Sequence, residues 1–192
     1  VFTADHVIRP PEQFVEAALH AFNAADGNPD ALITFGVRPT EPQTGYGYLQ
    51  RGESLGPGLW TIELFKEKPD LATARQYVDS GVHFWNSGMF VWQSQTMLDL
   101  LKSLLPKAYD MSQSLAEKWG TDAGRSVADL IYPTLDRVSI DFAVMEKAPR
   151  VLMVELNAHW LDVGSWPALQ TVLGVDASGN TVSGAQLEAL GS

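Results

Sequence analysis

VFTADHVI (residues 1–8), PPEQFVEAALHAFNAADG (10–27) and ALITFG (31–36) read in succession as strand, helix and strand. The first piece is apolar from its first position, as though the chain begins inside a buried strand and is a fragment of a longer protein. In the second, Phe14, Ala18, Ala21, Phe22 and Ala25 recur at helical spacing, and Gly27 supplies a stop. The third is a short apolar run. This order marks a parallel α/β unit rather than an all-β sandwich.

The alternation continues downstream. LWTIELFKEK (59–68) reads as a strand, DLATARQYVDSG (70–81) as a helix closed by Gly81, and HFWNSGMFVWQ (83–93) as a strand interrupted by a glycine. Residues 39–58 carry three Pro and five Gly, which predicts a long loop containing the hairpin-like segment TGYGYLQRG. Residues 94–132 read as helical, with Pro106 at a helix start and Gly120 and Gly124 between segments. SIDFAVMEKA (139–148) reads as a short helix begun by Ser139, RVLMVEL and AHWLDVG as strands, and SWPALQTVL (165–173) as a helix before a DASGN turn.

Composition bounds the function. The 192 residues fit one domain, with 23 acidic against 13 basic residues, a net charge of −10, and 45% hydrophobic residues to build a core. No block of Lys and Arg exists to bind a nucleic-acid backbone. No apolar run approaches the roughly eighteen residues of a membrane span, and the first twenty positions lack the basic start and apolar core that a signal peptide would show. The absence of Cys removes disulfides, thiolate metal sites and cysteine nucleophiles together. A small, phosphorylated ligand is compatible, with cations placed locally or a metal recruited.

In open α/β sheets ligands sit beyond the carboxyl ends of strands, where Asp5 follows VFTA and Asp162 follows HWL. Two carboxylates brought to one crevice suit Mg²⁺; taken singly, each is also an ordinary turn or cap residue. In FKEKPD, Glu67 and Lys68 stand at a strand end, where neighbouring side chains point to opposite faces and so do not neutralise one another. A carboxylate can hold sugar hydroxyls and an ammonium a phosphate; a solvated strand end is the plainer alternative. Gly45, Gly47 and Gly88 allow close backbone approach to a ligand, or else mark a hairpin turn and a β-bulge. Asn86 adds donors and an acceptor, and Asp141 reads as a first-turn helix acid within reach of a ligand. Gln50 stands where a dinucleotide fingerprint needs its third Gly. Trp60, Trp85, Trp92 and Trp119 read as core residues, while Trp160 and Trp166 bracket Asp162. The four His are scattered and read as structural or surface residues.

Taken in order, TADHVI, FGVRPTEPQTGYGY, FKEKPD, FWNSGMF, SIDFAVMEKA and WLDVGSWPAL resemble the mannose-1-phosphate guanylyltransferases of the sugar nucleotidyltransferase superfamily, over residues 1–173. The resemblance implies a Rossmann-like α/β/α sandwich and a cytoplasmic, Mg²⁺-dependent reaction of GTP with mannose 1-phosphate, giving GDP-mannose and pyrophosphate. It implies that Asp5 and Asp162 are metal ligands, with Lys68 and Asp162 the catalytic residues. Tyr46, Gly47, Glu67, Lys68, Asn86 and Asp141 would bind the substrate, Gly47 through its backbone amide and Lys68 through the sugar's phosphate.

Three departures qualify the resemblance. The family's Gly-rich phosphate loop normally precedes the TADH segment, so the sandwich is expected to be incomplete on its N-terminal side and this chain alone inactive. Thr3 stands where the family usually has Pro, and Gln43 where Glu-Thr usually precedes the glycines. Residues 174–192 resemble the truncated start of a C-terminal extension. The unpaired edge of an incomplete sheet predicts a homodimer. The alternatives are an inactive sugar-phosphate-binding module, a related hexose-1-phosphate nucleotidyltransferase, and a structural role with no ligand.

Overall fold

The computed structural model describes residues 1–164, 166–176 and 179–181. In chain order its elements are β1 (His6–Arg9), α1 (Pro11–Gly27), β2 (Leu32–Val37), β3 (Gly47–Gly56), β4 (Leu59–Lys66), α2 (Leu71–Ser80) and β5 (His83–Val91). Then come α3 (Ser94–Leu104), α4 (Pro106–Ala116), α5 (Asp122–Ile131), a π-helical turn (Asp141–Met145), β6 (Val151–Glu155), β7 (His159–Asp162) and α6 (Trp166–Leu173). Helix α6 ends at Leu173, and residues 177–178 and 182–192 of the expected extension lie outside the described residues.

The mixed α/β class expected from the alternation holds, with helices on both sheet faces. Every residue of β2 is buried, as befits a strand covered on both sides. Ile33, Phe35 and Val37 pack with Ala17, Ala21, Ala24 and Ala25 of α1 and Ala74 of α2. On the other face Leu32 joins Met97 of α3 and Ala143, Val144 and Met145 of the π-helical turn. Opposite faces for Leu32 and Ile33 follow from the strand's period of two.

The pairing differs from the expected parallel unit. The strands β2, β5, β3, β4 and β6 form one sheet that closes on itself. Among the described residues its only parallel pair is β2 with β6, from Leu32 opposite Val151 to Gly36 opposite Glu155. Both edges of β2 are taken by β5 and β6, so β1 cannot join it across α1. β1 instead pairs antiparallel with β7 in a two-stranded ribbon, His6 opposite Asp162. Among the described residues the closed sheet presents no unpaired edge of the kind expected for dimerisation.

Three local expectations are also corrected. Much of the 39–58 loop is strand: β3 pairs with β4 over a ribbon that bends at several register shifts, where its glycines fall. Gly124 lies inside α5, where a Cβ would stand 2.3 Å from the Lys118 carbonyl oxygen, so a close approach explains this glycine. Trp119 is 80% exposed rather than a core residue, because it falls in the exposed connection between α4 and α5. α1 turns its small alanines inward and leaves Phe22 half exposed, which lets the helix backbone lie close to the sheet.

Other local signals hold. Asp70 caps α2, accepting the Thr73 N–H at 2.9 Å, and Gly81 ends the helix at φ 68°. Pro106 opens α4.

Candidate functional site

Two groups of polar side chains form at the ends of these strands. The first is built on the ribbon. Directly opposed residues of an antiparallel pair share a face, so the His6–Asp162 register puts both side chains together, and Asp5 precedes His6. Ligand atoms of Asp5, His6 and Asp162 lie within 4.8 Å of one another. Gly164 N–H donates to Asp162 Oδ1 at 3.0 Å, and Val163 N–H donates to the Asp5 carbonyl at 3.1 Å. A Cβ at Gly164 would stand 3.2 Å from Asp162 Oδ1, so the glycine leaves room for that turn. Burial pulls the His6 pKa below its ordinary value, opposed by the nearby Asp162 and Asp5 carboxylates. Two carboxylates and an imidazole form a donor set that fits a divalent cation.

The second group is built on β3, β5, the end of β4 and the π-helical turn. Gly47 stands opposite Asn86 across the β3–β5 ladder. A Cβ on Gly47 would come within 2.3 Å of Glu67 Oε2 and 3.3 Å of Asn86 Cβ, so only glycine lets these side chains meet over the backbone. Gly88, at φ 70°, follows in an irregular stretch of β5 where the register with β2 shifts. Thr34 Oγ1 donates to Asn86 Oδ1 at 2.9 Å, and Asn86 Nδ2 donates to Asp141 Oδ1 at 2.9 Å. These bonds fix the orientation of the amide.

Glu67 is 8% exposed, and among the described residues its Oε2 has no hydrogen-bond partner. Burial raises its pKa above the ordinary 4.5; the Asp141 and Glu146 carboxylates push the same way, and Lys68 opposes them. The expected separation of Glu67 and Lys68 is overturned, since Lys68 Nζ lies 3.3 Å from Glu67 Oε1. The strand has already ended at Lys66, and Lys68 adopts φ 46°, turning its side chain back beside Glu67. The Lys68 side chain remains 58% exposed, with room for a further anion.

Tyr46 joins the two groups. Its ring meets Trp85 at 5.3 Å and Trp160 at 5.1 Å, its hydroxyl lies beside Asp162, and its chain neighbour is Gly47. Burial and the Asp162 charge raise the Tyr46 pKa. All eight residues singled out from sequence therefore fall in one group or the other or, in the case of Tyr46, between them. Trp160 is buried against the first, whereas Trp166 is 85% exposed. A cavity of about 920 Å³ between α4 and residues 132–138 shares no residue with either group.

Sequence reasoning misses three participants. His6, which reads as a structural residue, faces the two aspartates; its only signal is adjacency to Asp5. Glu146 accepts the Glu67 N–H at 3.0 Å, and Thr34 orients Asn86. No local pattern announces these two contacts, because they cross between elements distant in sequence.

With this geometry in view, the comparisons are specific. The Nucleotidyl transferase family matches residues 1–177. The chain is 39% identical to a mannose-1-phosphate guanylyltransferase of Salmonella muenchen, over 96% of this chain and 39% of that protein. It is 42% identical to the xanthan biosynthesis protein XanB of Xanthomonas campestris pv. campestris, with the same shares covered. Among solved structures, a mannose-1-phosphate geranyltransferase from Thermus thermophilus superposes with a TM-score of 0.77 at 35% identity, over 90% of this chain and 48% of that one. The chain thus spans about two fifths of the length of these curated relatives. On the match over nearly its whole length, the chain belongs to the nucleotidyl transferase family.

Proposed function

We propose that this chain carries the sugar-phosphate and cation portion of a mannose-1-phosphate guanylyltransferase site. The observation that carries the proposal is the buried Glu67 Oε2, which among the described residues lacks a donor beside the side-chain-free backbone of Gly47 and the fixed amide of Asn86. An unpartnered buried acceptor costs about 1–3 kcal/mol, and a sugar hydroxyl would satisfy it. The names of the relatives support mannose 1-phosphate as that sugar.

In this reading Glu67 and Asn86 hold mannose hydroxyls, with Asp141 behind Asn86, and the Gly47 amide faces the ring. Lys68 pairs with the sugar's phosphate, and Tyr46 sets the spacing to Asp162. Asp5 and Asp162 would hold a divalent cation, taken as Mg²⁺, which would supply charge screening at the phosphates. A phosphate oxygen of mannose 1-phosphate attacks the α-phosphorus of GTP, and pyrophosphate leaves with the electrons of the broken bond. No covalent protein intermediate is needed.

Residues 1–173 act as part of the catalytic domain and 174–192 as the start of an extension. The activity of the whole protein is assigned to the cytoplasm; no helix among the described residues is long and apolar enough to cross a membrane. A homodimer belongs to the same reading. The ribbon β1–β7, whose strands pair with no third strand among the described residues, offers the edge for it.

Calorimetric titration with mannose 1-phosphate, with and without Mg²⁺, tests the proposal. Saturable, cation-enhanced binding that is weakened in Lys68→Ala is expected. Absence of binding by the folded chain would refute it.

A further inference from the structure

We infer that the groove between the α3–α4 junction and residues 132–138 is a contact face for a second copy of this chain, met about a two-fold axis so that each groove packs against its counterpart. The inference is independent of the sugar-phosphate reading, and the face lies apart from the β1–β7 ribbon edge.

Helices α4 and α5 have almost no interior of their own. No residue of α4 is buried, and Gly124 is the only buried residue of α5. Packed helices hide an apolar stripe against another element, whereas here apolar side chains line a surface groove. Leu104, Leu105, Pro106, Tyr132, Leu135 and Val138 form its walls around a volume of about 920 Å³. Tyr132 is 70% exposed and Val138 44%. A contiguous apolar concavity rimmed by polar residues marks a place of association.

Charge indicates what covers it. Lys107, Asp136 and Arg137 stand exposed on the rim. Among the described residues none of the three belongs to an ion pair within the chain. A two-fold contact sets a patch against itself, so a rim that carries both signs supplies its own partners. Asp136 of each copy then meets Lys107 and Arg137 of the other.

The rest of the molecule is less suited to self-contact. Residues 94–138 hold five of the 13 basic and six of the 23 acidic residues, a net charge of −1, which leaves −9 on the other 147 residues. Two copies that meet through this segment avoid the like-charge repulsion that pairing through the acidic remainder would bring. Tyr132 is the anchor, a large exposed aromatic of the kind that dominates contact energies, and the opposing groove is the space that receives it.

Sedimentation velocity of the chain over a range of about 1–100 μM tests the inference, with circular dichroism confirming the fold of each variant. A concentration-dependent dimer is expected. Asp136→Lys makes the rim wholly cationic, and the pair Lys107→Glu with Arg137→Glu makes it wholly anionic. Each charge variant, and Tyr132→Ala, should weaken the dimer at least about ten-fold. Mixing the two charge variants in equal amounts restores opposite signs across the contact and should return a mixed dimer of about the original strength.

A dimer unmoved in all three variants would overturn the inference and leave the ribbon edge as the contact. Charge variants that dissociate alone and stay apart on mixing would overturn the two-fold pairing of the rims. A chain that remains monomeric at every concentration would overturn the inference together with the homodimer of the proposed function, while leaving its sugar site untouched.

Discussion

Asn86 Nδ2 donates to Asp141 Oδ1 at 2.9 Å across 55 residues of sequence, tying strand β5 to the π-helical turn. With Thr34 donating to its oxygen, the Asn86 amide has one orientation and presents a fixed edge beside Gly47. Asn86→Asp would replace a donor with a carboxylate facing another carboxylate. We expect it to cost about 1–3 kcal/mol, measured by urea unfolding at neutral pH. A cost below about 0.5 kcal/mol would contradict the bond's role.

Gly47 and Glu67 compete for the same space. Gly47→Ala places a methyl within reach of Glu67 Oε2 and is expected to destabilise by about 1–3 kcal/mol through overpacking. Glu67→Ala vacates that space. The double variant should therefore be less destabilised than the sum of the singles, with a coupling of about 1 kcal/mol in a double-mutant cycle. Simple additivity would mean that the two do not meet.

The raised pKa of Glu67 carries a definite sign. In the folded chain the carboxyl keeps its proton at pH values where the unfolded chain, titrating near 4.5, has released it. The stability it contributes is whole below that value and falls as pH rises through the higher folded-state value. Glutamine does not titrate, so the stability difference between the unaltered chain and Glu67→Gln isolates the effect. That difference should move in favour of glutamine from about pH 4.5 upward and then level off. Movement in the opposite direction would require a lowered pKa.

Lys68 pits backbone strain against binding. Its φ of 46° is unfavourable for a side-chain-bearing residue and natural for glycine. Lys68→Gly is expected to leave stability unchanged or raise it by up to about 1 kcal/mol, since its half-exposed ion pair with Glu67 contributes little. Mannose 1-phosphate affinity should fall at least about ten-fold, a loss of about 1.4 kcal/mol. Parallel losses of stability and affinity would assign Lys68 a structural role instead.

Much of this molecule is legible in its sequence because the signals are local. Asp70 and Gly81 bound α2, Pro106 opens α4, and the mostly apolar run of β2 declares a buried strand. Pairing is not local. Nothing in VFTADHVI distinguishes a strand beside β2 from one that seeks β7, and the choice falls to which edges are already filled. The glycine-rich 39–58 stretch has the composition of a loop, yet its glycines serve a bent ribbon and the contact of Gly47 with Glu67. Candidate site residues are legible where motifs mark them. His6, Thr34 and Glu146 act through partners that only the fold supplies.

The central claim is that a sugar phosphate sits over Gly47 against Glu67 and Asn86. The most direct measurement is the ¹⁵N–¹H spectrum of the chain during titration with mannose 1-phosphate in the presence of Mg²⁺. The account predicts saturable shifts of the Asn86 side-chain amide and the Gly47 backbone amide, abolished in Glu67→Ala. Binding that leaves both signals unmoved while shifting residues elsewhere would contradict it.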